Sequence, residues 1–197
     1  MSSGMTFRRE VAEGIEIRLF ETGDAETVFA TADRNREYLR EWLPWVDRTQ
    51  SARDILEFIA RAHYKFQISR APDAGIWIDG VFSGSIGVHS VDWTNRSTSI
   101  GYWIDSAQQA RGITTRCCAS LLDYLFDDLL LHRVEIRCGT GNTRSCAIPR
   151  RLGFLREGVL REAEWVSGRW VDLVVWSMLE DAWRAGAASR RGATRAH

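Results

Sequence analysis

The hexapeptide Gln109-Ala110-Arg111-Gly112-Ile113-Thr114 stands between an apolar run, Gly101-Tyr102-Trp103-Ile104, and a strongly periodic segment that begins at Ile113. Residues of these types at that spacing suit the binding of an anion. A loop that enters a helix offers several free backbone N–H groups at the positive end of the helix dipole, and Gly112 has no Cβ to obstruct a close approach. An ordinary strand-loop-helix connection is the other reading of the same residues. Trp42 and Trp45 flank Pro44; either both pack into the core, or one lines a substrate pocket. Cys117, Cys118, Cys138 and Cys146 have no metal-ligand spacing and read as structural thiols of a reducing cytoplasm. His63, His89 and His132 are scattered. There is no His-Glu-x-x-His, no P-loop and no Gly-x-Gly-x-x-Gly, and no metal is expected.

The elements that must position these groups follow from periodicity. Ile15 to Leu19 alternates as a half-buried strand does, and Asp24 is a candidate cap for a helix carrying Ala25, Val28, Phe29 and Ala32. Pro44 ends any helix over 36–46, and Ser51 to Asp54 starts the next one. Asp79-Gly80 predicts a hairpin between strands 74–78 and 81–89, and 98–104 is the strand after it. Ile113, Cys117, Leu121, Leu125 and Leu129 form one helical stripe. Strand 132–138 then follows, which makes a parallel pair with a right-handed crossover. A short helix over 143–152 ends at Gly153 and contains Pro149, whose missing N–H would free the carbonyl of Ser145. Strands 158–164 and 169–179 turn at Ser167-Gly168. Residues 1–7 read as a flexible start or an expression remnant, 8–183 as one domain, and 184–197, rich in Ala, Gly, Ser and Arg, as a disordered tail.

Two stretches together carry a family resemblance. Gln109 to Thr114 is similar to the acetyl-CoA pyrophosphate loop of the GNAT N-acetyltransferases, which reads Gln or Arg, two residues, Gly, one residue, then Gly or Ala. Thr114 departs from that pattern, and its size sets the last amide farther from a phosphate. Asn142-Thr143-Arg144-Ser145 followed by Arg150-Arg151-Leu152-Gly153-Phe154 resembles the family's later motif, in which an Asn begins a short helix ending in Leu-Gly-Phe. Ala163-Glu164-Trp165 and Gly101-Tyr102-Trp103-Ile104-Asp105 are most similar to the RimL/RimJ branch.

The resemblance implies a fold: α/β, with a mixed, mostly antiparallel sheet of about seven strands, a splayed parallel pair and helices on both faces. It implies acetyl-CoA as co-substrate, bound by Tyr102, Trp103, Ile104, Gln109, Ala110, Arg111, Gly112, Ile113, Thr114, Asn142, Arg144 and Arg151. The basic cluster Arg144, Arg150, Arg151 and Arg156 is either a solvated face or a contact for the 3′-phosphate. Trp42 and Trp45 would bind the acceptor. Glu164 matches the branch's acidic residue and is the expected base, with an ion pair to Arg161 or Arg169 as its alternative. Ser145 is the expected acid toward the CoA sulfur, with a helix-cap role as its alternative. No cysteine nucleophile is needed.

The resemblance implies an amine acceptor: the α-amino group of a protein or peptide, with a small molecule such as an antibiotic, a polyamine or an aminoacyl nucleotide as the alternative. A CoA-binding module without catalysis is the reading from another class. A formal net charge of zero exerts no general pull on nucleic acid or an acidic membrane, and 45% hydrophobic with 26% charged residues is ordinary for a soluble chain. No apolar run is long enough to span a bilayer. A cytoplasmic homodimer is expected, with Trp165, Trp170 and Trp176 as apolar area beyond one core.

Overall fold

Alternating side chains write most of the sheet. A computed structural model describes residues 6–193. Strands β1 (Arg8–Ala12), β2 (Ile15–Leu19), β3 (Asp73–Ile78), β4 (Val81–Val88), β5 (Ser97–Ile104), β6 (Arg133–Gly139), β7 (Leu155–Val166) and β8 (Arg169–Leu179) form one sheet. Their order is β1-β2-β3-β4-β5-β6-β8-β7. Helices α1 (Ala25–Arg34), α2 (Arg36–Leu39), α3 (Ala52–Ser69), α4 (Ile113–Asp123), α5 (Thr143–Arg151) and α6 (Glu180–Ala193) complete it. All neighbouring strands run antiparallel except β5 and β6. This is the expected mixed sheet with one strand more. The addition is β1, whose Arg8-Arg9-Glu10 run lacks an apolar alternation and forms by pairing with β2.

The parallel pair is in register only from Ser97 opposite Arg133 to Ile100 opposite Ile136. β5 continues to Ile104, still bonded to β4, and β6 continues to Gly139, still bonded to β8. Beyond Ile100 and Ile136 the two strands part, and the sheet opens as a fork at their C-terminal ends. One face of the sheet takes Val134, Ile136 and Cys138 into a large core with the α4 stripe of Ile113, Cys117, Leu121 and Leu125. The other face packs Phe20, Trp77 and Phe82 against Val28 of α1 and Ile55 and Ile59 of α3.

Several details depart from expectation for physical reasons. The α4 helix is regular only to Asp123 and finishes in a π turn, Tyr124–Asp128. A stripe repeating every four residues drifts by about 40° per repeat on a 3.6-residue helix, and a wider turn brings Leu125 and Phe126 back onto the core. Asp24 does not cap α1 with its side chain; it takes Arg18 instead, at 2.9 and 3.1 Å. Phe7, placed in a flexible start, is only 5% exposed and packs on Phe66 and Tyr124; residues 1–5 lie outside the described residues. Trp176 is part of the core, whereas Trp165 and Trp170 are exposed and pack edge-on at 5.1 Å. Residues 184–193, expected in a disordered tail, continue α6, and 194–197 lie outside the described residues.

Helix α6 is anchored by Trp183, which is 2% exposed, lies 6.3 Å from Phe126 and donates its Nε1–H to Asp123 at 2.9 Å. Trp183→Ala removes a buried aromatic that the surrounding core cannot replace. The expected loss is about 3–5 kcal/mol, read as a fall in the urea midpoint with an unchanged slope.

Candidate active site

The anion loop is tied down at both ends. Asp105 leaves β5 and accepts from Arg34 of α1 at 2.5 Å and from the amide of Ala107 at 3.1 Å. Burial works to raise the Asp105 pKa, but Arg34 and the Ala107 amide outweigh it and hold the carboxyl below the usual range. Asn35 accepts from the amide of Ser106 at 3.1 Å. Ala110 and Gly112 both adopt left-handed backbone, with φ of 61° and 71°. A Cβ built on Gly112 would meet only Arg116, at 3.9 Å, so the space over the loop is open. Ile113 and Thr114 bury their side chains, and their amides, in the first turn of α4, have no carbonyl one turn back. The loop thus has the free donors and the room that a pyrophosphate needs. Arg111 is exposed and bonds Gln108, and Arg144 donates to Gln109 at 2.6 Å, linking the loop to α5. Arg150 and Arg151 are exposed and, among the described residues, have no carboxylate partner.

α5 begins at the fork. The Asn142 side-chain oxygen caps it by accepting from the Ser145 amide at 3.0 Å, which leaves the Asn142 NH2 group for other partners. Ser145 Oγ donates toward Cys138 Sγ at 3.3 Å and lies 3.5 Å from Tyr102 Oη. Tyr102 donates in turn to the Ser145 carbonyl at 3.2 Å. Burial pushes the Cys138 thiol up to about 12 and the Tyr102 hydroxyl well above its ordinary value, so both keep their protons at neutral pH. Tyr102 and Ile104 face α4 and α5. Trp103 points the other way, onto Phe82 at 5.8 Å and Trp45 at 6.0 Å. The sheet's pleat therefore separates Trp103 from the two residues beside it.

The opposite face of the fork holds Trp42 and Glu164. A Cβ on Gly139 would lie 2.7 Å from Trp42 Cζ3 and 3.2 Å from Val171 Cγ1, and one on Gly141 would lie 3.0 Å from Trp42 Cη2. The Trp42 ring thus rests on the two glycines, with Val171 beside Gly139 on the same face. Glu164 pairs with Val171, and directly opposed residues of an antiparallel pair share a face. Its position depends on a bulge. Leu160 opposes Leu173 and Glu164 opposes Val171, so three residues of β7, Arg161 to Ala163, face Asp172 alone. Glu162 has a φ of 47°, and its amide donates to Asp172 at 2.7 Å. Without the two extra residues the pairing would continue from Leu160–Leu173 to Glu164–Arg169. The bulge carries Glu164 two residues toward the fork, about 7 Å at strand rise, and away from that ion pair. Among the described residues Glu164 has no hydrogen bond or salt bridge, and burial raises its pKa.

Tyr38 and Glu41 have no place in the expectations from sequence. They line a cleft of about 260 Å³ together with Trp42, Gln109, Asn142 and Arg144. Tyr38 donates its hydroxyl to the Ile104 carbonyl, and burial pushes its pKa up to about 12. The four-residue spacing of Tyr38 and Trp42 is the signal that could have joined them. Trp45, paired with Trp103, is not among the cleft's lining residues. Among the described residues no group of three or more His, Cys, Asp or Glu side chains could hold a metal ion, and no helix is long and apolar enough to cross a membrane.

Comparison with known proteins agrees with this geometry. The family model of the acetyltransferase (GNAT) domain matches residues 15–155. The chain is 37% identical over 178 residues to the putative ribosomal N-acetyltransferase YdaF of Bacillus subtilis, covering 90% of this chain and 97% of that one. Among solved structures, a RimL ribosomal α-N-protein acetyltransferase in complex with coenzyme A superposes with a TM-score of 0.85 at 22% identity, over 89% of this chain and 99% of that one, a likeness of fold. The microcin C7 self-immunity acetyltransferase MccE, in complex with acetyl-CoA and AMP, gives 0.83 at 25% identity, over 91% and 97%. With its loop, its forked sheet and a family match over most of its length, the chain belongs to the GNAT acetyltransferases, as an N-acetyltransferase related to the RimL/RimJ branch.

Proposed function

We propose that the chain transfers the acetyl group of acetyl-CoA to the α-amino group of a protein or peptide, by direct attack. The observation that carries this reading is Glu164: a half-buried carboxylate with no partner among the described residues, set by a bulge on the face of Trp42 and across the sheet from Ser145. The Gln109–Thr114 loop takes the pyrophosphate, and the exposed Arg150 and Arg151 offer cations for a further phosphate. The amine enters from the Trp42 face and the thioester from the α5 face. Glu164 takes a proton from the acceptor ammonium, directly or through one water, and the neutral nitrogen attacks the acetyl carbonyl. The C–S bond breaks as the Ser145 hydroxyl passes its proton to the departing thiolate and takes one in turn, through water, from the nitrogen of the adduct, so that the amide and the serine both end neutral. Small amines are the competing acceptors, since a relative 23% identical over 81% of this chain is a spermidine N(1)-acetyltransferase of Vibrio cholerae. Thiol release across a panel of peptides and small amines separates the two.

Acetyl-CoA should raise the melting temperature, because a ligand that binds only the folded chain stabilises it by mass action. Gly112→Asp puts a carboxylate where a phosphate should sit and is expected to abolish that rise; an unchanged acetyl-CoA affinity in the variant would remove the loop from the site.

Glu164→Gln should lower kcat at neutral pH with acetyl-CoA binding intact, and the gap should narrow as pH rises and more acceptor is already neutral. Stability should move the other way. A carboxyl whose folded pKa is raised contributes stability that is full below its unfolded pKa and is lost as pH climbs through the raised value. At pH 7 the ionised Glu164 therefore costs stability, and the neutral amide should melt no lower than the parent. Equal pH profiles of kcat for the two enzymes would assign the base elsewhere.

A cytoplasmic homodimer completes the proposal, with the exposed Trp165–Trp170 pair as contact area. Light scattering at micromolar concentration should give twice the chain mass of 22.4 kDa; the monomer mass would count against it.

A further inference from the structure

α5 contains a proline where a helix normally excludes one. In an unbroken helix the Ser145 carbonyl would accept from the N–H of residue 149, and Pro149 has none. That carbonyl accepts instead from the Tyr102 hydroxyl, 43 residues earlier, at 3.2 Å. Tyr102 stands on the part of β5 that has already left β6, so this bond spans the fork. The same tyrosine oxygen lies 3.5 Å from Ser145 Oγ. A phenol has one proton. With that proton committed to the Ser145 carbonyl, Tyr102 can only accept from Ser145 Oγ. Of the two hydroxyl groups at the fork, Ser145 is then the one whose proton, directed at the weak acceptor Cys138 Sγ at 3.3 Å, can turn toward a leaving thiolate.

We infer that Pro149 and Tyr102 are positioning residues for Ser145. The missing N–H at 149 frees the carbonyl that orients Tyr102, and Tyr102 in turn fixes the side chain of Ser145 and holds α5 against the splayed end of β5. The inference rests on the proposed role of Ser145 as proton donor. Neither Pro149 nor Tyr102 transfers a proton; both act through the geometry of the serine.

The test is a double-mutant cycle in the full chain, read in kcat, in both KM values and in melting temperature. Pro149→Ala restores a helix N–H, draws the Ser145 carbonyl back toward the helix axis and weakens its bond to Tyr102. Because alanine is the better helix former, this variant should melt at or above the parent temperature while its kcat falls about fivefold, with both KM values within about twofold. Tyr102→Phe removes the donor from the other side and should lower kcat about as much. The double variant should be no slower than the worse single one, since both substitutions break one bond. A purely structural proline would give a Pro149→Ala enzyme of parent kcat, and independent packing effects would give losses that multiply; either result overturns the inference. Ser145→Ala separates this failure from that of the underlying reading. If it leaves kcat unchanged, Ser145 is not the acid and the positioning proposal falls with it. If it lowers kcat while Pro149→Ala and Tyr102→Phe do not, the acid reading stands and the positioning proposal alone is lost.

Discussion

The early end of one strand pairing governs this molecule. β5 and β6 bond only as far as Ile100 and Ile136, and each then follows its outer neighbour. A sheet that parts in this way exposes backbone N–H and C=O groups inside the protein, which is costly unless they find partners. Two tyrosines hold the splayed end of β5. Tyr38 reaches the Ile104 carbonyl from the α1–α2 side, and Tyr102 reaches the Ser145 carbonyl on the α5 side. The fork is thus a braced opening, and what braces it also lines it.

Several irregularities lie around that opening. A two-residue bulge in β7 shifts Glu164 along β8, α5 carries an interior proline, and Ala110 and Glu162 take left-handed backbone. Each costs stability: about 3 kcal/mol for an interior helical proline relative to alanine, and of order 1–3 kcal/mol for a strained non-glycine backbone. The larger core and the regular pairing of β2 with β3 and of β4 with β5 supply the surplus that tolerates them. The loss of regularity at a site where geometry must be special is the usual trade between stability and activity.

The sheet was legible because its strands alternate, and the two hairpins because Asp79-Gly80 and Ser167-Gly168 can take the positive φ that two-residue turns require. The anion loop and α5 were legible from local motifs. β1 was not, because an edge strand of charged residues takes its conformation from its partner. The alternation that marked β7 could not reveal its bulge, since Glu164 keeps the same face whether it opposes Val171 or Arg169. Two inserted residues preserve the period of two, and only the pairing register records them. Tyr38 and Glu41 escaped for a similar reason: they belong to the cleft by proximity to residues about 70 and 100 positions later, for which short-range spacing has no signal.

The separation of the proposed base and acid by the sheet bears on the choice of acceptor. An α-amine, with a pKa of about 7.7–8.0, must lose its proton at a cost of roughly 1 kcal/mol at pH 7, whereas a lysine at about 10.4 costs roughly 4–5 kcal/mol. One carboxylate on the proposed acceptor face suits the smaller task. The surroundings push in the same direction. The Trp42 ring would otherwise attract an ammonium, but the Arg169 guanidinium lies 5.5 Å from its centroid, held by a bond to the Glu41 carbonyl at 3.2 Å. A fixed cation beside the ring disfavours a second positive charge there and favours the neutral amine. The effect is modest for an exposed arginine, since solvent and salt screen it. It is enough to matter for a group whose pKa already lies near neutrality, and too small to neutralise a lysine.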